Sequence, residues 1–118
     1  MFLNELYSIT DFIHSEDKLS AEIRLNVAHS IFEGHFPGMP VTPGVVQLQI
    51  VKELLGQHFQ KKIRLKALRS CKFLHILNPN ENPIVRINIK WRMLDELEVT
   101  ASGESAEIVF FKVQATYL

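Results

Sequence analysis

The chain has 118 residues, 47% apolar and 22% charged, the proportions of a soluble globular domain with one sizeable core. Thirteen Lys and Arg balance thirteen Asp and Glu, which excludes the net basic charge of a nucleic-acid binder and any acidic tail. No apolar run is long enough to span a bilayer, Met1 to Asp11 lacks the pattern of a signal peptide, and Cys71 is the only cysteine, so the expectation is a single domain over residues 1–118 in a reducing cytoplasm.

Glu5 to His14 mixes polar residues with the β-formers Tyr7, Ile9, Phe12 and Ile13 and reads as a first strand. Ser15-Glu16-Asp17 is a polar turn. Leu19 to Asn26 then alternates, with Leu19, Ala21, Ile23 and Leu25 on one face and Ser20, Glu22, Arg24 and Asn26 on the other. Together they read as an antiparallel hairpin with one wet face. Residues 27–43 form a segment longer than a compact domain normally leaves without structure, and such segments tend to be functional. From Gly44 the period changes. Val45, Leu48, Val51 and Leu55 recur at helical spacing, with Ile50 and Leu54 widening the stripe, so a largely buried helix is expected from Gly44 to about Phe59, with Pro43 at its start.

Lys61 to Ile76 returns to alternation, with Ile63, Leu65, Ala67 and Leu68 facing one way and Lys62, Arg64 and Lys66 the other. Leu77 to Pro83 is a strong turn. Ile84 to Met93 alternates again, Leu94-Asp95-Glu96 allows a tight return, and Leu97, Val99 and Ala101 begin another strand. Gly103-Glu104-Ser105 reads as a turn before a last β-rich run from Ile108 to Tyr117. Long antiparallel strands and a single apolar helix imply an α+β fold, a curved sheet wrapped around one central helix. One helix covers only part of such a sheet, and the open edge invites a second copy.

The chemistry concentrates between Gly34 and Gly44, which hold three of the five prolines and three of the five glycines. Such a segment has a stiff, definite path. His35 stands near its start and a helix N-terminus at its end, so an ionisable ring and a set of free backbone N–H groups share one rigid arm. That is how a catalytic loop is built, with an acid–base group on a stiff arm beside a helix N-terminus.

The run Phe32-Glu33-Gly34-His35-Phe36-Pro37-Gly38-Met39-Pro40-Val41-Thr42-Pro43-Gly44-Val45 closely resembles the signature of the 3-hydroxyacyl-[acyl-carrier-protein] dehydratases. Lys72 to Pro79 also resembles that family's strand leading into a proline turn. The resemblance implies a hotdog fold, a dimer or larger assembly, and a tunnel at the dimer interface. It implies dehydration of 3-hydroxyacyl thioesters to trans-2-enoyl thioesters in fatty-acid or related lipid and polyene synthesis. No metal or redox cofactor is implied; the substrate rides on the phosphopantetheine of acyl-carrier protein, or on coenzyme A. His35 takes the place of the acid/base and Gly44 that of the N–H holding the thioester carbonyl. Phe32, Phe36, Pro37, Gly38, Val45, Val46 and Leu48 fall where substrate contacts are expected.

Where the family carries an acidic residue five positions along the helix, which handles the leaving hydroxyl from the other subunit, this chain has Gln49, with Glu53 one helical turn on. Gln cannot ionise. Three readings stay open. His35 does both proton transfers while Gln49 orients the hydroxyl or a water; Glu53 substitutes through a shifted substrate or a relayed water; or the chain binds acyl groups without dehydrating them, as a subunit paired with an active homologue. A hotdog thioesterase is a further alternative. Glu53 is otherwise expected as a solvated helix residue, and His14, His29, His58 and His75 as structural histidines. Cys71 is expected as a small buried residue. Lys62, Arg64 and Lys66 belong to the one concentration of positive charge and read either as a solvated strand face or as a docking patch for acidic carrier protein.

Overall fold

The computed structural model describes residues 1–33 and 40–118. β1 (Tyr7–His14) and β2 (Lys18–Leu25) form the expected hairpin, followed by a short 3-10 turn at Ser30–Phe32. The helix α1 (Gly44–Phe59) keeps the bounds its periodicity implies. β3 (Leu65–Phe73), β4 (Ile84–Met93), β5 (Leu97–Ser105) and β6 (Ile108–Tyr117) complete an antiparallel sheet in the order β1-β2-β4-β5-β6-β3.

Alternation along each strand becomes layering across the sheet. Leu19 pairs with Ile89, Ile89 with Ala101, and Ala101 with Val113, so one register row crosses four strands and every member is buried. Val46, Ile50, Val51, Leu54 and Leu55 of α1 join that row in one core. Burying each large aliphatic side chain contributes about 1.5–3 kcal/mol, which outweighs the modest helical preference of a segment rich in Val and Ile. The helix ends at Gln60, whose φ of 52° takes the left-handed conformation usual after a last turn.

Two expectations change. Gly103-Glu104-Ser105 is not a turn: β5 runs through Ser105, and the chain reverses at Ala106-Glu107, with Ala106 at φ 52°. Gly103 is a strand glycine because the Phe111 ring occupies the space a Cβ would need, with Ile87 Cδ1 3.2 Å from the same point. The strand expected over 61–76 is shorter, and the apolar residues expected on one face do not share one environment. Leu65 and Leu68 are exposed, while Ile63, ahead of the strand, is buried. The reason is position: β3 is a sheet edge with two register irregularities, and among the described residues nothing packs over those side chains.

Candidate active site

The N-terminal turn of α1 is assembled from three segments. Thr42 N–H donates to the Leu77 carbonyl at 2.9 Å, tying the entry to α1 against the chain beyond β3. Pro43 is the N-cap in an extended conformation, and its carbonyl accepts from the N–H groups of Val46 (3.0 Å) and Gln47 (3.1 Å). Gln47 Nε2 donates to the Thr42 carbonyl at 2.9 Å, closing the turn from the side. Among the described residues the N–H of Gly44 has no partner, as expected at a first helical position. It lies at the positive end of a sixteen-residue helix.

Phe73, the last residue of β3, covers this glycine. A Cβ on Gly44 would lie 2.5 Å from the Phe73 ring, so only glycine lets the ring approach. A cleft of about 340 Å³ opens between Thr42–Gly44 and Phe73–Leu77. Two polar atoms on its lining residues, Thr42 Oγ1 and Gln47 Oε1, are buried without a partner among the described residues. Roomier clefts lie on the outward face of β4–β6, lined by Lys90, Thr100 and Gln114, but no helix end meets them.

Further along α1 the arrangement reverses. Glu53, expected in solvent, is only 6% exposed. Its Oε1 accepts from Leu3 N–H (2.9 Å), Phe2 N–H (3.1 Å) and Tyr7 Oη (3.1 Å), and its Oε2 from Phe2 N–H (2.9 Å). Gln49 Nε2 adds a bond to Oε2 at 3.0 Å. The carboxylate thus fastens the segment before β1 onto the middle of the helix. Burial first, and then the charge of Glu53, push the Tyr7 phenol far above its ordinary range, so Tyr7 remains a donor.

The other predicted residues separate. His35, Phe36, Pro37 and Gly38 lie outside the described residues. Phe32 and Val46 are buried and Leu48 is partly buried, whereas Val45 is 75% exposed. Lys66 is paired with Glu96, and Arg69 with Glu98 at 2.8 Å. Among the described residues Lys62 and Arg64 make no ion pair, although the Arg64 backbone exchanges hydrogen bonds with Leu118.

The remaining histidines have local partners. His29 Nδ1 accepts from Ile31 N–H at 3.0 Å and caps the 3-10 turn, and His75 Nδ1 lies 3.1 Å from the Val109 carbonyl. His14 and His58 stack edge to face at 5.1 Å, and His58 also meets Trp91 at 4.7 Å. Trp91 Nε1 donates to the Glu16 carbonyl. Burial, and then His14, hold His58 below its ordinary value, and its Nδ1 is buried without a partner among the described residues. Cys71 is half-buried, and burial pushes its thiol up. Among the described residues no group of three or more acidic, Cys or His side chains is placed to hold a metal ion. No helix among them is long and apolar enough to cross a membrane.

Sequence reasoning did not find Thr42, Gln47, Phe73, or the Phe2–Leu3 and Tyr7 contacts of Glu53. Thr42 and Gln47 left a trace as polar residues flanking an apolar stretch. Phe73 left none, because its role depends on where an edge strand ends.

The profile of the ApeI-like dehydratases (ApeI dehydratase) matches residues 12–109. The 3-hydroxyacyl-[acyl-carrier-protein] dehydratase FabZ of Rickettsia felis is 30% identical over 89 residues, covering 64% of this chain and 60% of that protein. The FabZ of Latilactobacillus sakei is 26% identical over 98 residues, covering 73% of this chain and 69% of that one. The chain therefore spans about 60% of the length of the Rickettsia relative. Among solved structures, the dehydratase heterocomplex ApeI:P from Xenorhabdus doucetiae superposes with a TM-score of 0.82 at 17% identity, over 93% of this chain and 96% of that one. An uncharacterized protein from Erwinia carotovora subsp. atroseptica gives 0.67 at 19% identity, over 94% and 92%. These likenesses share the antiparallel sheet and single helix, the hotdog arrangement expected from the motif. By the match over residues 12–109, the chain belongs to the ApeI-like dehydratase family.

Proposed function

We propose that the protein dehydrates 3-hydroxyacyl thioesters carried by acyl-carrier protein to trans-2-enoyl thioesters, a step of fatty-acid or related lipid or polyene synthesis in the cytoplasm. The observation that carries this reading is the Gly44 N–H at the head of α1, without a partner among the described residues, beside a cleft and under a ring that only glycine tolerates. In the reading, that N–H holds the thioester oxygen as negative charge develops there. His35 takes the C2 proton. The C2–H electron pair becomes the C2=C3 bond, the C3–O bond breaks, and the proton on His35 passes to the departing hydroxyl to give water. A positioned acid–base group of this kind contributes about 10²–10⁴-fold. The phosphopantetheine arm would bring the thioester to the cleft, with Lys62 and Arg64 the cations of the predicted carrier-protein patch that make no ion pair among the described residues.

The test is enoyl formation from a 3-hydroxyacyl-acyl-carrier protein by the purified chain and by His35→Ala. Turnover by the wild type and loss of at least about a hundredfold in the variant are expected. An unaffected variant overturns the assignment of His35, and a silent wild type overturns self-sufficient dehydration.

One observation favours a second reading, that of a subunit which completes its site with a homologue. The helix offers an amide at Gln49, and the Glu53 carboxylate is already engaged by Phe2, Leu3, Tyr7 and Gln49. The similarity to a protein described as a dehydratase heterocomplex agrees with such pairing. Turnover that appears only when a second dehydratase is added separates it from the homo-oligomer. The same engagement of Glu53 leaves a thioesterase reading without its water-activating carboxylate.

A further inference from the structure

We infer that Glu53 is a positioning residue for Gln49, locking its amide so that position 49 offers the substrate hydroxyl a carbonyl oxygen rather than an N–H group. The inference rests on the dehydratase reading above and on the dimer the motif implies: Gln49 lies five residues, about 140° around the helix axis, from Gly44 and is not among the described residues lining the cleft there, so the hydroxyl it meets belongs to substrate bound by a second copy of the chain.

A carboxylate only accepts hydrogen bonds, so the Gln49 atom 3.0 Å from Glu53 Oε2 must be the amide nitrogen. Turning the amide over would set Gln49 Oε1 against Glu53 Oε2, two acceptors with no proton between them. Glu53 cannot turn away to relieve this. Phe2 N–H, Leu3 N–H and Tyr7 Oη hold it from two other elements, and it is nearly fully buried. Residues on the same helix face, one turn apart, suit such a contact. The segment before β1 therefore fixes the orientation of a side chain in the middle of α1.

One N–H of Gln49 is consumed by Glu53, while among the described residues Oε1 keeps both acceptor positions. An acceptor placed at a 3-hydroxyl takes the hydroxyl's own hydrogen and turns an oxygen lone pair toward whatever delivers the second proton. Gln49 then neither gains nor loses a proton during elimination. The proton that completes the water comes from the His35 ring, which received it from C2, and the balance closes without a second acid on this helix.

Glu53→Gln tests this with little change of shape. The new side chain keeps an oxygen for Leu3 N–H, Tyr7 Oη and the longer contact of Phe2 N–H (3.1 Å), gives up the Phe2 N–H bond to Oε2, and puts an NH₂ group where Oε2 faced Gln49. Gln49 must then turn its oxygen to that introduced NH₂ group and present its own NH₂ outward. In ¹⁵N-edited spectra, one side-chain amide proton of Gln49 should be protected from solvent exchange in the wild type, and that protection should disappear in Glu53→Gln. With crotonyl-acyl-carrier protein, hydration by Glu53→Gln should show kcat reduced about tenfold at nearly constant KM, the loss expected for one misdirected hydrogen bond. Gln49→Leu should lose a similar factor, and the double variant no more than either single one. Free exchange of both Gln49 protons in the wild type, or additive losses in the double variant, overturns the inference. A wild type whose Gln49 proton is protected but which never turns over overturns the dehydratase reading and the catalytic role with it, leaving the amide orientation established by exchange alone.

Discussion

The two halves of α1 that face polar chemistry are finished to different degrees. At Gly44 the helix leaves an N–H, a threonine hydroxyl and a glutamine carbonyl without partners among the described residues, around a cleft. At Glu53 one carboxylate collects five hydrogen bonds, Gln49 supplying one of them. A buried polar group left unpaired costs stability, whereas a saturated one anchors what it touches. The contrast divides the helix into a receiving end and a fastening end, although both stretches lie in one continuous sixteen-residue element.

The largest expected effect is at the fastening end. Glu53→Ala leaves Phe2 N–H, Leu3 N–H and Tyr7 Oη without their acceptor, and should destabilise the fold by about 3 kcal/mol. Chemical denaturation measures this, and an unchanged midpoint would erase the distinction between the two ends. Next is Gly44→Ala, where the new methyl group meets the Phe73 ring. Overpacking of this kind costs about 1–3 kcal/mol, and enoyl formation should fall with it. Adding Phe73→Ala should restore stability, since it removes the ring that collides.

A smaller effect is expected for Thr42→Val, which keeps the shape and removes a buried hydroxyl with no partner among the described residues. If the hydroxyl serves only a ligand, the free protein should gain up to about 1 kcal/mol while binding of substrate weakens. A stability gain with binding unchanged would make Thr42 a packing flaw and blunt the contrast. The smallest effect concerns acid. His58 is held below its ordinary value in the folded chain, by burial first and His14 second, so folding favours the neutral ring. Stability is fully present above the unfolded value of about 6.5 and is lost as pH falls through the folded one. Melting temperatures at pH 7.5 and 5.5 should differ less in His58→Phe than in the wild type.

Much of this architecture was legible because a period of two and a period of 3.6 are local properties. Ile84 to Met93 and Leu19 to Leu25 alternate visibly, and α1 begins and ends where the apolar stripe does. The failures came where a residue answers to distant chain. Gly103 looks like a turn residue until Phe111 is laid beside it in register. Ile63, Leu65 and Ala67 alternate like core residues, but edge position decides burial, and pairing order is not written in a strand's own sequence. Within the site, the motif from Gly34 to Gly44 carried the family, because few chemistries need that proline and glycine spacing. Glu53 was unreadable as an anchor, since its donors Phe2, Leu3 and Tyr7 precede it by 46 to 51 residues.

Trp91 is the only tryptophan in the chain, and its indole lies 4.7 Å from the His58 ring and 5.2 Å from Phe59. A protonated imidazole quenches indole emission much more strongly than a neutral one. The protein thus carries its own fluorophore and quencher at the far end of the helix from Gly44. Emission wavelength reports whether the core is closed, and emission intensity in the folded state reports the proton on His58, so both can be followed without any label.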